Sequence, residues 1–493
     1  MNRTRLSNWA ILVARLSFAA TIVLIPFNLR LVLASRPIPP IYRDYTDVLL
    51  FASDISLLAT LISWLASLAL APRHIRRGPW FLTIPIAGTI VVGILSAIFS
   101  VDPILSLYHS VRLIVLGGLY FFILNEIKSI ADLLVPGAIQ VLIQSVIGIA
   151  QFLQQHSLGL QAIGELELDP AWNGVSIVWF GKQIALRAYG LTAHPNILGG
   201  CLAFALILLA LWYIGSDPKW RGLLALLFGV GALALLFTFS RAAWLALGTA
   251  ILLMLLMFWR ARQLQPAFDL VALMLATLIL LVPFAWSNAG YLGARLNPTE
   301  PSMFTGENRA VVEREALNTA ANKIFSDHAL IGIGLGALPI SLRNTFPDFH
   351  FDYQPEHVVL LDAAAETGIF GALCYFIALI APWIALLANR RRLNFSPALI
   401  GVSALLLAIT VVGFFDYYTW LLAPGRLWQW GAWGLWGTIY QSSFVGAKNV
   451  RSSFRSHRGD ISCRGGNVVR IWRQLFLSHL DRVARTQYNH FCT

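Results

Sequence analysis

Charge is scarce in this 493-residue chain: Asp, Glu, Lys and Arg make up 12% of it, about half the roughly 25% of a soluble domain. Hydrophobic residues make up 57%, and mean hydropathy is +0.69, so lipid rather than water is the main solvent. The formal net charge is +12, but the basic residues are scattered over short loops rather than gathered into a stripe, which argues against a nucleic-acid partner. Cysteine is also sparse. Cys201 and Cys374 lie inside apolar runs and Cys463 and Cys492 near the end of the chain. Without a CxxC pair there is neither a zinc signature nor a disulfide framework. A Walker A motif and a DxD metal motif are missing too. Gly332, Gly334 and Gly336 form GxGxG, but without the spacing of a dinucleotide fingerprint or the Lys of a P-loop, so tight turns re-entering the membrane are the plainer use. Chemistry on the outer face would have neither ATP nor a nucleotide cofactor to call on, and an activated donor would have to arrive in the membrane itself.

What is present is a series of long apolar runs. A bilayer crossing needs about 20 apolar residues, and that ruler predicts about twelve helices in an all-α integral membrane protein. They fall near 9–30, 47–71, 80–100, 108–125, 131–153, 195–214, 222–239, 241–259, 268–286, 358–388, 397–415 and 426–444. The first run has Arg3 and Arg5 ahead of it, as a signal peptide would. It also contains Arg15, leads into Arg30 and Arg36, and lacks a small-x-small cleavage site, which fits a first membrane helix better.

Every second short connection is basic: Arg73, Arg76 and Arg77, then Lys128, then Lys219 and Arg221, then Arg260 and Arg262, then Arg390, Arg391 and Arg392. Positive charge stays on the cytoplasmic side, so both termini are expected inside. The long connections of about 154–194 and 287–357 are then extracytoplasmic. The second should hold a helix from about Glu307 to Phe325, with Val311, Val312, Ala316, Leu317, Ala320 and Ile324 on one face. Its polar face carries Arg309, Glu313, Arg314 and Lys323. The chain thus divides into a membrane domain, 1–444, and a basic cytoplasmic tail, 445–493. Within the tail, Val468 to Val483 fits an amphipathic helix with Val469, Trp472, Phe476, Leu480 and Val483 on one side; a frayed tail is the alternative.

Arginines on the translocated side run against the usual charge bias. Arg187 precedes a helix, Arg241 sits in the very short connection Ser240-Arg241, and Arg309 opens the loop helix. A guanidinium fork suits an oxyanion such as phosphate; snorkelling or pairing with an acidic neighbour is the plainer use, and Glu313 stands one turn from Arg309. His357 begins an apolar helix after Pro355 and Glu356. The positive end of the helix dipole disfavours imidazolium, leaving a neutral imidazole able to accept a proton. Asp362 and Glu366 lie one turn apart inside the same apolar segment, where carboxylates are functional candidates by position. Nine residues, about half a revolution, separate Glu366 from His357, so a partner on another helix suits Glu366 better than His357 does.

Four stretches, in this order, resemble the O-antigen ligase and polymerase family of bacterial envelope glycan assembly. They are Arg187-Ala188-Tyr189-Gly190 with His194-Pro195-Asn196; Thr238-Phe239-Ser240-Arg241; Asn308-Arg309 with Gly332-Ile333-Gly334-Leu335-Gly336; and His357 with Glu366-Thr367-Gly368. The likeness covers roughly 80–440. It departs from the family where Val358 replaces the usual Asn after the loop histidine.

The resemblance implies a GT-C-like glycosyltransferase architecture in the bacterial inner membrane. It implies transfer of a glycan from an undecaprenyl-pyrophosphate carrier to an acceptor hydroxyl on a glycan, lipid or protein, without metal or cofactor and with inversion. Carried over residue by residue, Arg241, Arg309 and Arg187 would bind pyrophosphate and His357 would be the base. Arg314, His194 and Glu366 are secondary candidates. Ligase and polymerase stay open, since both share these motifs. A secondary transporter or lipid-glycan flippase is the alternative from another class. It expects charged or broken helices at mid-membrane in related halves, whereas here the charges concentrate at the outer surface.

Overall fold

The computed structural model describes residues 3–296 and 306–444, with backbone alone for 306–310. Nine long helices come first: α1 Arg3–Leu24, α2 Ala52–Leu70, α3 Trp80–Ile98, α4 Pro103–Glu126, α5 Ala131–Gln154, α6 Pro195–Gly215, α7 Pro218–Phe237, α8 Arg241–Arg260 and α9 Leu264–Ser287. Three helices follow in the long late connection: α10 Ala289–Leu296, α11 Gly306–Asp327 and α12 Leu338–Thr345. The chain then returns to the bundle as α13 Val359–Ala388, α14 Pro397–Gly413 and α15 Ala423–Ser442. Ten of these, α1 to α9 and α13, are long and apolar enough to cross a membrane. The 17-residue α14 and the Trp-rich α15 are the other two long helices.

α6 runs through the middle of the bundle. It is apolar all round and buried along most of its length, as a helix with no lipid face must be, and it packs on α5, α7, α8, α14 and α15. Its start is fixed locally: Pro195 occupies the first turn, and His194 Nδ1 accepts the Asn196 N–H at 3.1 Å.

The connections sort alternately to two ends. At one, Arg73 pairs with Glu126 at 2.7 Å, the Arg76 amide donates to Asn125 at 2.7 Å, and Asn394 N donates to Ser443 O at 2.8 Å. At the other, Asn28 N meets Leu191 O at 2.6 Å, Ala188 N meets Phe237 O at 2.9 Å, and Val101 N meets Ile333 O at 3.0 Å.

The first connection differs from expectation. Residues 30–34 and 48–51 are an antiparallel hairpin, β1 Arg30–Ala34 and β2 Val48–Phe51, paired Arg30 to Phe51. Both strands are apolar, so hydropathy alone extends the flanking helices into them. A second hairpin, β3 Ile177–Phe180 with β4 Gln183–Leu186, lies in the connection before α6.

α11 covers the expected stretch, but its buried face is Leu317, Ala320, Ala321 and Ile324, while Val311 and Val312 are exposed. Val311 and Val312 thus stand clear of the core that the last turns of α11 bury.

The glycine-rich stretch 332–336 is a backbone latch rather than a ligand loop. α13 leaves helical geometry at Gly368, with φ 67° and ψ −174°. Ile369 N then donates to Ala329 O at 2.8 Å, and the freed carbonyls of Ala365 and Glu366 accept Ile333 N and Gly334 N at 3.0 and 2.9 Å. Hydrogen bonds are exchanged rather than lost, as burial requires. A Cβ on Gly334, at φ +100°, would stand 2.1 Å from Ser100 Oγ, so only glycine fits.

Candidate active site

The site is built on the α7–α8 turn. Phe239 adopts φ 49°, a conformation disfavoured for a side chain of its size. Its ring is fully buried against Phe152 and Trp244, which holds the backbone there. Two arginines grip the turn from outside: Arg187 Nε donates to Thr238 O at 2.7 Å, and Arg295 Nε to Phe239 O at 2.9 Å. Ser240 caps α8 without a side-chain bond, and the positive end of the helix dipole meets a cavity of about 250 Å³. Asn196, Ser240, Arg241, Arg295, Arg314 and Phe415 line it.

Cations crowd this cavity. Arg241 Nη1 donates to Arg295 O at 3.3 Å. Burial, then the charges of Arg187, Arg241 and Arg314, push the Arg295 guanidinium down to about 8. Arg187 is pushed down to about 10, first by burial, with Arg241 and Arg314 adding to it against Tyr189 and Asp416. An anion entering the cavity would relieve both.

Arg187 itself is turned into the protein. Besides Thr238 O, its Nη1 donates to Ser176 Oγ at 2.8 Å and its Nη2 to Asn196 Oδ1 at 2.6 Å. Asn196 Nδ2 in turn donates to Asp416 Oδ2 at 2.8 Å. One amide side chain thus bridges a buried cation and a buried carboxylate at the cavity wall. The backbone around Arg187 is pinned from α5: Gln151 Oε1 accepts the amides of Tyr189 and Gly190 at 3.1 and 2.7 Å, and Gln144 Oε1 accepts that of Leu191 at 2.9 Å.

His357 lies just before α13. Its Nδ1 is buried with no hydrogen-bond partner among the described residues, and its ring meets Tyr417 edge-on at 5.5 Å. Burial, then the charge of Arg314, pushes the imidazole down to about 3, so it is neutral at ordinary pH. Tyr417 shares a 2.5 Å hydroxyl hydrogen bond with Tyr45 of the first connection. His194 is also lowered, by burial and then by Arg187 and His357. Because its Nδ1 accepts the Asn196 amide, its proton sits on Nε2.

Glu356 is 1% exposed, accepts the Val358 amide and, with the Asn318 amide turned to satisfy its neighbours, accepts from Asn318 as well. Burial raises its carboxyl to about 7.

Of the residues singled out from sequence, Arg241 and Arg314 line the cavity, Arg187 sits behind its wall, and His194 and His357 feel its charge. Arg309 falls in the first turn of α11, where its side chain lies outside the described residues. Glu366 faces elsewhere: its Oε2 accepts Trp420 Nε1 at 2.8 Å beside the glycine latch. Asp362 is wholly buried near it.

Arg295, Asp416 and Tyr417 were not singled out, and Asn196 and Glu356 were named only as neighbours of His194 and His357. Arg295 carried the same signal as Arg241, a cation on the translocated side near a helix end. The glutamines of α5 carried another, polar side chains inside an apolar span.

No curated protein matches the chain. Residues 223–376, which run from α7 into α13 and include Arg241, Arg295, Arg314 and His357, match the family model described as O-antigen ligase, and this part of the chain is accordingly an O-antigen ligase family domain of a multi-pass, mostly helical membrane protein.

Proposed function

We propose that the protein transfers a glycan from an undecaprenyl-pyrophosphate carrier to an acceptor hydroxyl, at the end of the bundle where the arginines gather. That end is extracytoplasmic in this reading, with both termini in the cytoplasm of a bacterial cell whose inner membrane holds the chain in a GT-C-like arrangement. The observation that carries the proposal is the cation-lined cavity at the start of α8, next to a histidine kept neutral. Family membership alone supports only glycan transfer of the ligase or polymerase type.

Arg241, Arg295 and Arg314 hold the diphosphate and stabilise the charge that grows on it as the glycosidic bond breaks. Such preorganised electrostatics is often the largest catalytic contribution, and it does the work in this proposal without metal. Arg309, whose side chain lies outside the described residues, is proposed for the same task from its place in the family motif. Arg187 acts as a positioning residue, fixing the α7–α8 turn and Asn196. The acceptor oxygen attacks the anomeric carbon from the face opposite the diphosphate, a C–O bond forms as the other breaks, and the configuration inverts. His357 takes the acceptor proton, and undecaprenyl pyrophosphate leaves as the anion. The donor's own negative charge offsets that of Arg314, so His357 becomes a better base once the donor is bound. His194 offers its Nε2–H as a hydrogen-bond donor.

Purified protein in detergent, given a lipid-linked glycan and an acceptor, should release undecaprenyl pyrophosphate, and should do so in EDTA. Retention of intact donor under all conditions would favour a transporter. Loss of release in EDTA, restored by a divalent ion, would show that the arginines do not suffice.

A further inference from the structure

The opposite end of the bundle holds a larger groove that glycan transfer does not use. It has a volume of about 780 Å³ and opens between the last turns of α8 and α13, within the roughly 300–1,000 Å³ of ligand sites. Leu253, Leu256 and Met257 form one wall, and Trp383, Leu387 and Phe395 the other. Leu256 is 51% exposed and Leu387 68%, so the groove faces the surrounding lipid rather than the protein core.

Arg260, Arg390 and Arg391 stand at its mouth. All three are exposed, and their side chains have no ion pair or hydrogen bond among the described residues. This contrasts with Arg73 and Arg221 at the same end, which pair with Glu126 and Asp269 at 2.7 and 2.8 Å. Trp259, beside Arg260 and 70% exposed, has the amphipathic ring found at membrane interfaces.

An apolar slot capped by three cations at an interface matches a molecule with long chains and an anionic head. The chain's own tail is a poor occupant on charge, because 445–493 is itself basic, with Arg451, Arg455, Arg458, Arg464, Arg470 and Arg473 among its cations. We propose that this groove binds a diacyl anionic phospholipid, its phosphate on Arg260, Arg390 and Arg391 and its acyl chains between α8 and α13. α8 begins at the cation-lined cavity and ends in this groove, so the lipid would brace the far end of the helix that carries Arg241.

The test uses the full chain, stripped of lipid in detergent, with dioleoyl phosphatidylglycerol or dioleoyl phosphatidylcholine added back. Native mass spectrometry and thermal unfolding are the readouts. Phosphatidylglycerol should give a bound adduct and raise the unfolding midpoint, and phosphatidylcholine should do neither. The triple variant R260Q/R390Q/R391Q should bind phosphatidylglycerol about 100-fold more weakly, while R76Q/R77Q, at the same end but away from the groove, should bind as the wild type does. Leu256→Trp, which fills the groove and keeps every charge, should also lose the adduct. Equal binding of both lipids, full binding by the triple variant, or an equal loss in R76Q/R77Q would overturn the proposal. A dimer without bound lipid, or a copurifying polyprenyl phosphate in the groove, would overturn it in favour of those occupants.

Discussion

Two groups of arginines in the helix bundle behave in opposite ways. At the basic end, buried carboxylates are matched one to one or shared: Glu126 takes Arg73 at 2.7 Å and Arg15 at 3.6 Å, and Asp269 takes Arg221 at 2.8 Å. The remaining arginines there reach outward. At the other end, Arg241, Arg295 and Arg314 line one small cavity with Arg187 behind its wall, and burial, with the neighbouring charges adding to it, lowers the pKa of Arg187 and Arg295. Pairs of the first kind serve stability and topology. Gathering like charges in low dielectric opposes folding, and such clusters mark functional sites. Arg30, Arg36 and Arg112, at the same end as the cavity, pair with Asp44, Asp102 and Asp54 at 2.6, 2.7 and 2.9 Å, so convergence on one cavity, rather than residue type or the end of the bundle, is what marks the second group as a candidate site.

That contrast can be broken by exchange. Removing both Arg241 and Arg295 as alanines should weaken binding of the lipid-pyrophosphate donor by about 100-fold or more, since each charge-assisted contact is worth roughly 1.5–3 kcal/mol. The Arg221→Gln variant at the opposite end should bind donor normally. Equal losses from both would mean that the arginines act only through overall stability. A smaller effect is expected for Arg241→Lys, which keeps the charge but loses the planar fork: roughly tenfold weaker donor binding with normal membrane insertion.

Acid sensitivity sharpens the same contrast. His357 is lowered from 6.5 to about 3 in the folded protein, so the fold favours its neutral form. The stability this confers is fully present above pH 6.5 and is lost as pH falls toward 3. His357→Asn should therefore flatten the fall in thermal midpoint across that window. Arg314→Gln should raise the imidazole pKa part of the way, because burial is the larger cause, and donor diphosphate should act in the same direction. An imidazole titration by NMR that is unmoved by Arg314→Gln and by donor would separate His357 from the cavity. The smallest effect on chemistry belongs to Glu126→Gln. Weakening its two arginine pairs should cost about 1–3 kcal/mol of stability and leave the single-turnover rate of transfer unchanged.

The run of apolar helices was legible because lipid imposes one length on every crossing, and each expected run contains a long helix. Strands β1 and β2 were not, because an apolar strand and an apolar helix end have the same composition. At the site, Arg241 was legible from its charge at a place where charge is rare. Arg295 offered the same signal but lay within an apolar stretch read as loop. Asp416 and Asn196 are 220 residues apart in sequence, and only the packing of α6 against the connection before α15 brings them together. Glu366 was legible as a carboxylate needing a partner, but its donor, Trp420, is supplied by tertiary contact. Val358, where the family has Asn, begins α13 with no side-chain cap; the adjacent Glu356 accepts its amide instead.

The central claim is that charge neutralisation and proton acceptance reside in different groups, the arginine cavity and His357. It is tested most directly by measuring donor binding and single-turnover glycan transfer on the same preparations of wild type and His357→Ala. The account predicts donor affinity within about twofold of wild type and transfer slowed by about 10²–10⁴. Transfer at the wild-type rate would contradict it and leave His357 as a residue that merely begins a helix.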